Sequence, residues 1–339
     1  MNYLENLIRP SLFKIKPYSS ARDEYKGTDG IFLDANENPF GELNRYPDPY
    51  QKKLKTALSK IKSVSAEAIF IGNGSDEVID LSFRIFCEPS KDKALTFMPT
   101  YGMYEVSAAL NNVELIKMPL NDEFQIDFNK LDEFINDSSI KLIFICSPNN
   151  PTGNSMDGIE KILKKFSGVV IIDEAYIDFS ERESWIKRIE EFPNLIVSQT
   201  FSKAWGLAAA RIGVAYAQPE IIHWFNKVKP PYNVSALNQN AAISALKNKR
   251  ATDEQITCIK ACREQLIHEL NGVNRVKKIY RSDANFILVE FDNADDVYNY
   301  LINKKVITRN RNSVIKNCIR ITVGLPVENE KLISELKIM

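Results

Sequence analysis

Five short apolar runs dominate the middle of the chain and leave little choice of fold. "KALTF" (93–97), "VELIKM" (113–118), "KLIFIC" (141–146), "GVVIID" (168–173) and "NLIVSQT" (194–200) read as strands. A strand with one wet face alternates apolar and polar residues; these barely do, so both faces must be covered. Around them, stretches 75–87, 101–110, 127–137, 155–166 and 182–190 carry apolar residues three and four apart, the helical spacing. This alternation predicts an α/β domain, a mostly parallel sheet with helices on both faces.

The C-terminal part follows another pattern. A helical stretch at 252–271 stops at Gly272, strands follow at 285–291 and 318–323, and a helix at 294–304 lies between them. The Pro-rich "KVKPPYNVS" (227–235) marks the break. The expected division is a large α/β domain at 28–235 and a smaller α+β domain made of 236–339 with the N-terminal segment 1–27. A chain of 339 residues is long enough for both. No repeat or low-complexity tract interrupts it.

Charge and cysteine usage narrow the chemistry. Lys plus Arg and Asp plus Glu are equal, at 44 each, so no global basic field draws in nucleic acid or anionic lipid. Any anion site must be local. No apolar run reaches membrane-spanning length, and the charged N-terminus lacks a secretory core, so a cytoplasmic protein is expected. Five cysteines, an odd number without CxxC spacing, read as buried free thiols; Cys258 and Cys262 share a helix face but lack partners for a metal, and none is expected. Only two histidines, His223 and His268, are present, and both sit among apolar neighbours, which gives histidine acid–base chemistry little support.

Ligands of open α/β sheets sit beyond the carboxyl ends of the strands. Four polar clusters fall there. "GNGSDE" (72–77) has two glycines and a helix start suited to a phosphate, though Asp76 and Glu77 also suit the first turn of any helix. It is not a dinucleotide fingerprint, because Glu77 stands where a glycine is needed. "SPNNPTG" (147–153) is a rigid loop that could present Asn150 or be only a turn. "DEAY" (173–176) ends a buried strand. Asp173 there needs a positive partner, Glu174 could instead be the functional acid, and magnesium is a further option, although no P-loop accompanies it. Finally "TFSKAWGLAAARIG" (200–213) aims Lys203 and Arg211 into small and apolar residues. A desolvated lysine amine is nucleophilic. Beside a buried aspartate, a phosphate cradle and an arginine, it suits an aldehyde cofactor with a phosphate and a ring nitrogen. Pyridoxal 5'-phosphate is that cofactor. Lys203 makes the covalent bond, and Arg211 neutralises the phosphate.

With these motifs in order, the chain resembles the histidinol-phosphate aminotransferases, among the fold-type-I pyridoxal-phosphate enzymes. The resemblance also takes in "KPYSSAR" (16–22), "LDANENPFG" (33–41), "NRYPDP" (44–49), "PTYGMY" (99–104), "DEAYIDF" (173–179) and "IRITVG" (319–324). It implies that Lys203 bonds the cofactor aldehyde and then moves the proton between substrate and cofactor. Asp173 would pair with the ring nitrogen, Asn150 and Tyr176 with the ring hydroxyl oxygen, and Tyr101 would stack on the ring. Thr200, Ser202, Arg211 and the backbone of Gly74, Ser75 and Asp76 would hold the phosphate. Tyr46 would reach the cofactor phosphate of a neighbouring subunit, which implies a homodimer. Arg320, otherwise a strand-edge arginine, would grip the substrate α-carboxylate. Arg309 and Tyr18 would receive the substrate phosphate, with Arg311 close enough in sequence to contend with Arg309. Asn36 would lie near the substrate.

The activity implied is reversible amino transfer between glutamate and imidazole-acetol phosphate, giving histidinol phosphate and 2-oxoglutarate in histidine biosynthesis. Arg309 would serve whichever anion the second substrate brings. Trp205, Ala209 and Ala210 depart from the family's usual residues and bear on pocket shape. The alternatives are an aromatic amino-acid aminotransferase and a threonine-phosphate decarboxylase-like enzyme. A pyridoxal-phosphate module inside a DNA-binding regulator would need a basic helix that the chain lacks, and a Rossmann oxidoreductase would need the missing glycine.

Overall fold

The computed structural model describes residues 3–17, 25 and 29–339. A seven-stranded sheet forms the larger layer, in the order β1-β7-β6-β5-β4-β2-β3. Its strands are β1 (Ile69–Asn73), β2 (Lys93–Met98), β3 (Glu114–Pro119), β4 (Ile140–Cys146), β5 (Val169–Asp173), β6 (Leu195–Thr200) and β7 (Ile212–Tyr216). Strands β2 to β6 pair in parallel, and β7 runs antiparallel to both β1 and β6. The side-chain period of two divides each strand between two cores. On β4, Ile143 and Ile145 join one cluster with Val170 and Ile172, while Leu142 and Phe144 join the other with Val169 and Ile171. Burial on both faces explains the continuous apolar reading. Leu7, Ile8 and Leu12, near the N-terminus, pack into the second cluster.

The smaller sheet is antiparallel, in the order β10-β11-β9-β8, with β8 at Val276–Ile279, β9 at Phe286–Phe291, β10 at Arg309–Asn310 and β11 at Cys318–Thr322. Ile287, Val289, Ile319 and Ile321 pack against the helices Lys249–Leu270, Ala294–Asn303 and Pro326–Ile338. The opposite face carries Phe286, which packs on Tyr176 of the larger layer. That face closes over the ends of β4, β5 and β6.

Two expected helices shrink to single turns, and the 155–166 stretch is helical only over Ile159–Lys165. The 127–137 stretch keeps one α-turn, Phe128–Leu131, which Asp127 caps through the N–H groups of Asn129 and Lys130. Beyond it the bonds tighten to three-residue spacing, as in Phe134 N–H to Leu131 O at 2.9 Å and Asp137 N–H to Phe134 O at 3.0 Å. The 182–190 stretch becomes a short 3-10 turn, Trp185–Arg188, capped by Ser184. Asp, Asn and Ser side chains bond nearby backbone and compete with helix continuation. Of the five cysteines, Cys258 is exposed, against the expectation of burial, and the other four are buried. No helix of the described residues is long and apolar enough to cross a membrane.

Candidate active site

The ends of β4, β5 and β6 and the starts of two helices border a cavity of about 580 Å³. Asn150, Asp173, Tyr176, Thr200, Ser202 and Lys203 line it from the strand ends, Ser75 and Asp76 from the start of the Ser75–Phe86 helix, Tyr101 from the segment after β2, and Arg211 from the residue before β7. Arg309, Arg311 and Arg320 reach it from the smaller sheet.

Asp173 closes β5, and its register partner on β4 is Cys146. It is 3% exposed. Its carboxylate accepts the Tyr104 hydroxyl at 2.8 Å and the Ala175 N–H at 3.1 Å. Burial pushes its pKa up, and those two bonds work against the rise. Successive residues at a strand end point to opposite sides, and this separates the two acids of "DEAY". Glu174 turns away from the cavity and accepts Ser184 Oγ at 2.5 Å, the Trp185 N–H at 2.7 Å and Gln199 Nε2 at 2.9 Å. Burial lifts it to about 7. It therefore staples the 184–188 turn to the sheet.

Lys203 lies on the turn after β6, and its amine stands 5.6 Å from the centre of the Tyr176 ring. The sequence implied a lysine shut away from water; the residue is instead exposed to the open cavity. Desolvation by the cavity walls and then the like charge of Arg320 still lower its pKa. Tyr176 is buried edge-on against Phe286 at 5.1 Å. Asn150 accepts a hydrogen bond from the Arg320 guanidinium through Oδ1. The Arg320 guanidinium also covers the Phe286 ring at 5.2 Å.

The anion cradle depends on two glycines. Gly74 has φ +78°, and a Cβ there would come within 2.7 Å of Arg211 Nη2. A Cβ on Gly213 would lie 2.2 Å from Gly74 C and Ser75 N. Only a bare backbone lets β7 approach the start of the Ser75–Phe86 helix this closely. No side chain caps that helix start, so its first N–H groups remain suited to an anion. Arg211, held in the left-handed region at φ +50°, reaches Asp76 at 3.3 Å and Ser202 Oγ at 3.4 Å. Tyr101 donates to Asp76 at 3.0 Å. The Thr200 hydroxyl donates to Ile212 O at 3.2 Å and accepts the Ser202 N–H at 3.1 Å, which fixes the turn that carries Lys203.

Two expected residues lie elsewhere. Asn36 and Tyr46 line a separate cavity of about 440 Å³ with Arg45 and Ser235. Within one chain Asn36 is thus not beside Lys203, because its segment runs with the "RYP" loop. Tyr46 is 50% exposed and stacks on Tyr232 at 4.4 Å. Tyr18 lies outside the described residues. Tyr104 was missed: nothing in "PTYGMY" marks the second tyrosine as a partner of Asp173, because the contact spans 69 residues of sequence.

The site suits pyridoxal phosphate: an amine and a buried carboxylate share one cavity, and the glycine-lined helix start leaves room for a phosphate. Residues 26–336 match the family described as Aminotransferase class I and II. The chain is 51% identical to a histidinol-phosphate aminotransferase of Cytophaga hutchinsonii, over 98% of each chain. The structure resembles the histidinol-phosphate aminotransferase of Clostridium acetobutylicum with a TM-score of 0.80 at 26% identity, covering 87% of this chain and 90% of that one. It also resembles the Sinorhizobium meliloti histidinol-phosphate aminotransferase in complex with pyridoxal-5'-phosphate, with a TM-score of 0.78 at 24% identity over 89% of both chains.

Proposed function

Because this chain belongs to the class I and II aminotransferases, and among them to the histidinol-phosphate aminotransferases, we propose that its main cavity moves an amino group between glutamate and imidazole-acetol phosphate. The products are histidinol phosphate and 2-oxoglutarate, a step of histidine biosynthesis. The observation that carries the reading is the single cavity that joins the Lys203 amine, the buried Asp173 carboxylate and four arginines.

Pyridoxal phosphate, when bound, supplies an electron sink for negative charge on the substrate α-carbon. The protein supplies the rest. The Lys203 amine, its pKa lowered, keeps a neutral fraction that takes and returns the α-proton. Asp173, aligned by Tyr104 and the Ala175 N–H, would pair with the ring nitrogen and favour its protonated form. Tyr101 would stack on the ring, and Asn150 and Tyr176 would hold the ring hydroxyl oxygen. Arg211, Ser202, Thr200 and the helix start at Gly74, Ser75 and Asp76 take the phosphate. Arg320 and Arg309 face the substrate's anions, two carboxylates on glutamate or one phosphate on histidinol phosphate. Tyr18 is assigned to the same phosphate.

Two copies complete the site in this reading. Ile31, Leu33, Phe40 and Leu43 are 66% exposed or more, in the segment that carries Asn36 and Tyr46. Such apolar side chains suit burial against a second copy. Tyr46 then reaches the neighbouring cofactor phosphate, and Asn36 moves with it. The large unit is 28–235 and the small one 236–339, while Leu7, Ile8 and Leu12 of the segment 1–27, expected with the small unit, pack on the large sheet; the enzyme works in the cytoplasm.

The test is product formation from competing substrates. Purified holoenzyme given imidazole-acetol phosphate and glutamate should yield histidinol phosphate and 2-oxoglutarate faster than it transaminates aromatic 2-oxo acids. Carbon dioxide from phosphothreonine, with no 2-oxoglutarate from glutamate, would place the decarboxylase reading first.

A further inference from the structure

The cavity holds more positive charge than glutamate requires. Arg309 pairs with Arg320 across β10 and β11, and two positions further on the Arg311 N–H donates to Cys318 O at 2.9 Å. Residues two apart on a strand share a face, so all three guanidiniums leave the small sheet on the side that faces Lys203. Among the described residues, no ion pair joins any of the three to a carboxylate. Within the cavity Asp76 is engaged by Arg211 and Tyr101, and Asp173 by Tyr104. Glu290, opposite Cys318 in the sheet, bonds Tyr280 at 3.2 Å.

Arg311 stands out among the three. Its fold role uses only the backbone, which any residue would supply. Its side chain is half-buried, and its Nε is buried with no hydrogen-bond partner. A half-buried guanidinium whose Nε–H has no partner is placed to gain from an anionic ligand in the cavity. Glutamate spreads its charge over two separate carboxylates, and Arg309 and Arg320 match them one to one. A phosphate monoester concentrates nearly two charges and three strong acceptor oxygens on one group, and planar guanidinium forks suit such a group.

Resting on the proposed reaction, we propose that Arg311 is a specificity-determining residue: the extra guanidinium that binds the phosphate of the phosphorylated substrate and is surplus for glutamate. It makes one pocket prefer a phosphate to a carboxylate while still admitting both.

The test uses unreactive ligands, so that binding is read without turnover. Calorimetry on the holoenzyme would measure imidazolylpropyl phosphate, which lacks the reacting amine, and glutarate, which stands for glutamate. Arg311→Ala should weaken the phosphate ligand about 10- to 100-fold, the worth of a hydrogen bond to a charged group, and weaken glutarate far less, so the ratio of the two affinities collapses. Arg311→Lys, a point charge without the fork, should recover part of the loss. The stoichiometry counts folded sites, so misfolding appears as missing sites rather than as weakened affinity. Two affinities that fall together, or a ratio that does not move while wild type prefers the phosphate ligand, would overturn the role of Arg311 alone. Wild type that binds glutarate but not imidazolylpropyl phosphate would overturn the proposed reaction, and this inference with it.

Discussion

Tyr104→Phe tests the part of the site that sequence did not reveal. The Tyr104 hydroxyl is fully buried and donates to Asp173 Oδ2 at 2.8 Å. Its ring stacks on Phe144 at 4.9 Å and 21°, a contact that phenylalanine preserves. The substitution therefore removes one bond and little else. Asp173 keeps the Ala175 N–H at 3.1 Å, and its pKa, already raised by burial, rises further. A hydrogen bond to a charged group contributes about 1.5–3 kcal/mol. The free carboxyl can escape the loss by protonating, but pairing with a protonated ring nitrogen requires the charge. The cost thus falls mainly on the cofactor-bound state, and pyridoxal phosphate should bind the apoprotein about 10- to 100-fold more weakly. Absorbance titration of apoprotein with the cofactor measures this, and melting of the apoprotein reports the fold. Affinity within about twofold of wild type, with the fold intact, would refute the argument that Tyr104 holds the charge of Asp173.

Two further outcomes are expected. Gly213→Ala forces a Cβ to 2.2 Å from Gly74 C and Ser75 N; because both are backbone atoms of a packed sheet and helix, the change should cost about 3 kcal/mol in urea unfolding, the upper end for overpacking, and an unchanged midpoint would deny the close approach. Glu174 has its folded pKa raised from 4.5 to about 7, so its favourable contribution is complete below pH 4.5 and is lost as pH rises through 7. Glu174→Gln cannot ionise, and the variant should gain on wild type across that window by up to about 3 kcal/mol; parallel stability curves would show that the group does not titrate there.

The legible parts of the fold are those where one strong physical demand acts on consecutive residues. The β4 and β5 runs announce burial on both faces because each residue in turn meets a core. Asp173, alone at the end of such a run, could be read as a buried carboxylate, and it is buried. The antiparallel β7 was not legible, because "IGVAY" follows the same alphabet as a parallel strand and its direction is set by pairing with β1. The two-residue β10 is too short for any period to register, yet its pairing, continued by the Arg311 N–H to Cys318 O, sets Arg309 and Arg311 on one face. The turns at 128–131 and 185–188 were overread as longer helices because apolar spacing outweighed the capping Asp127 and Ser184. The choice between Asp173 and Glu174 could not be made from type alone, since both are buried acids. Their directions differ, and only one reaches the cavity.

The central claim is that Lys203 carries the cofactor. Borohydride reduction of the holoenzyme fixes the bonded cofactor to its lysine, and peptide mass spectrometry then locates the tag. The account predicts a pyridoxyl phosphate mass on the peptide containing Lys203 and on no other. A tag on a different lysine, or an untagged Lys203 in protein that had bound the cofactor, would contradict it.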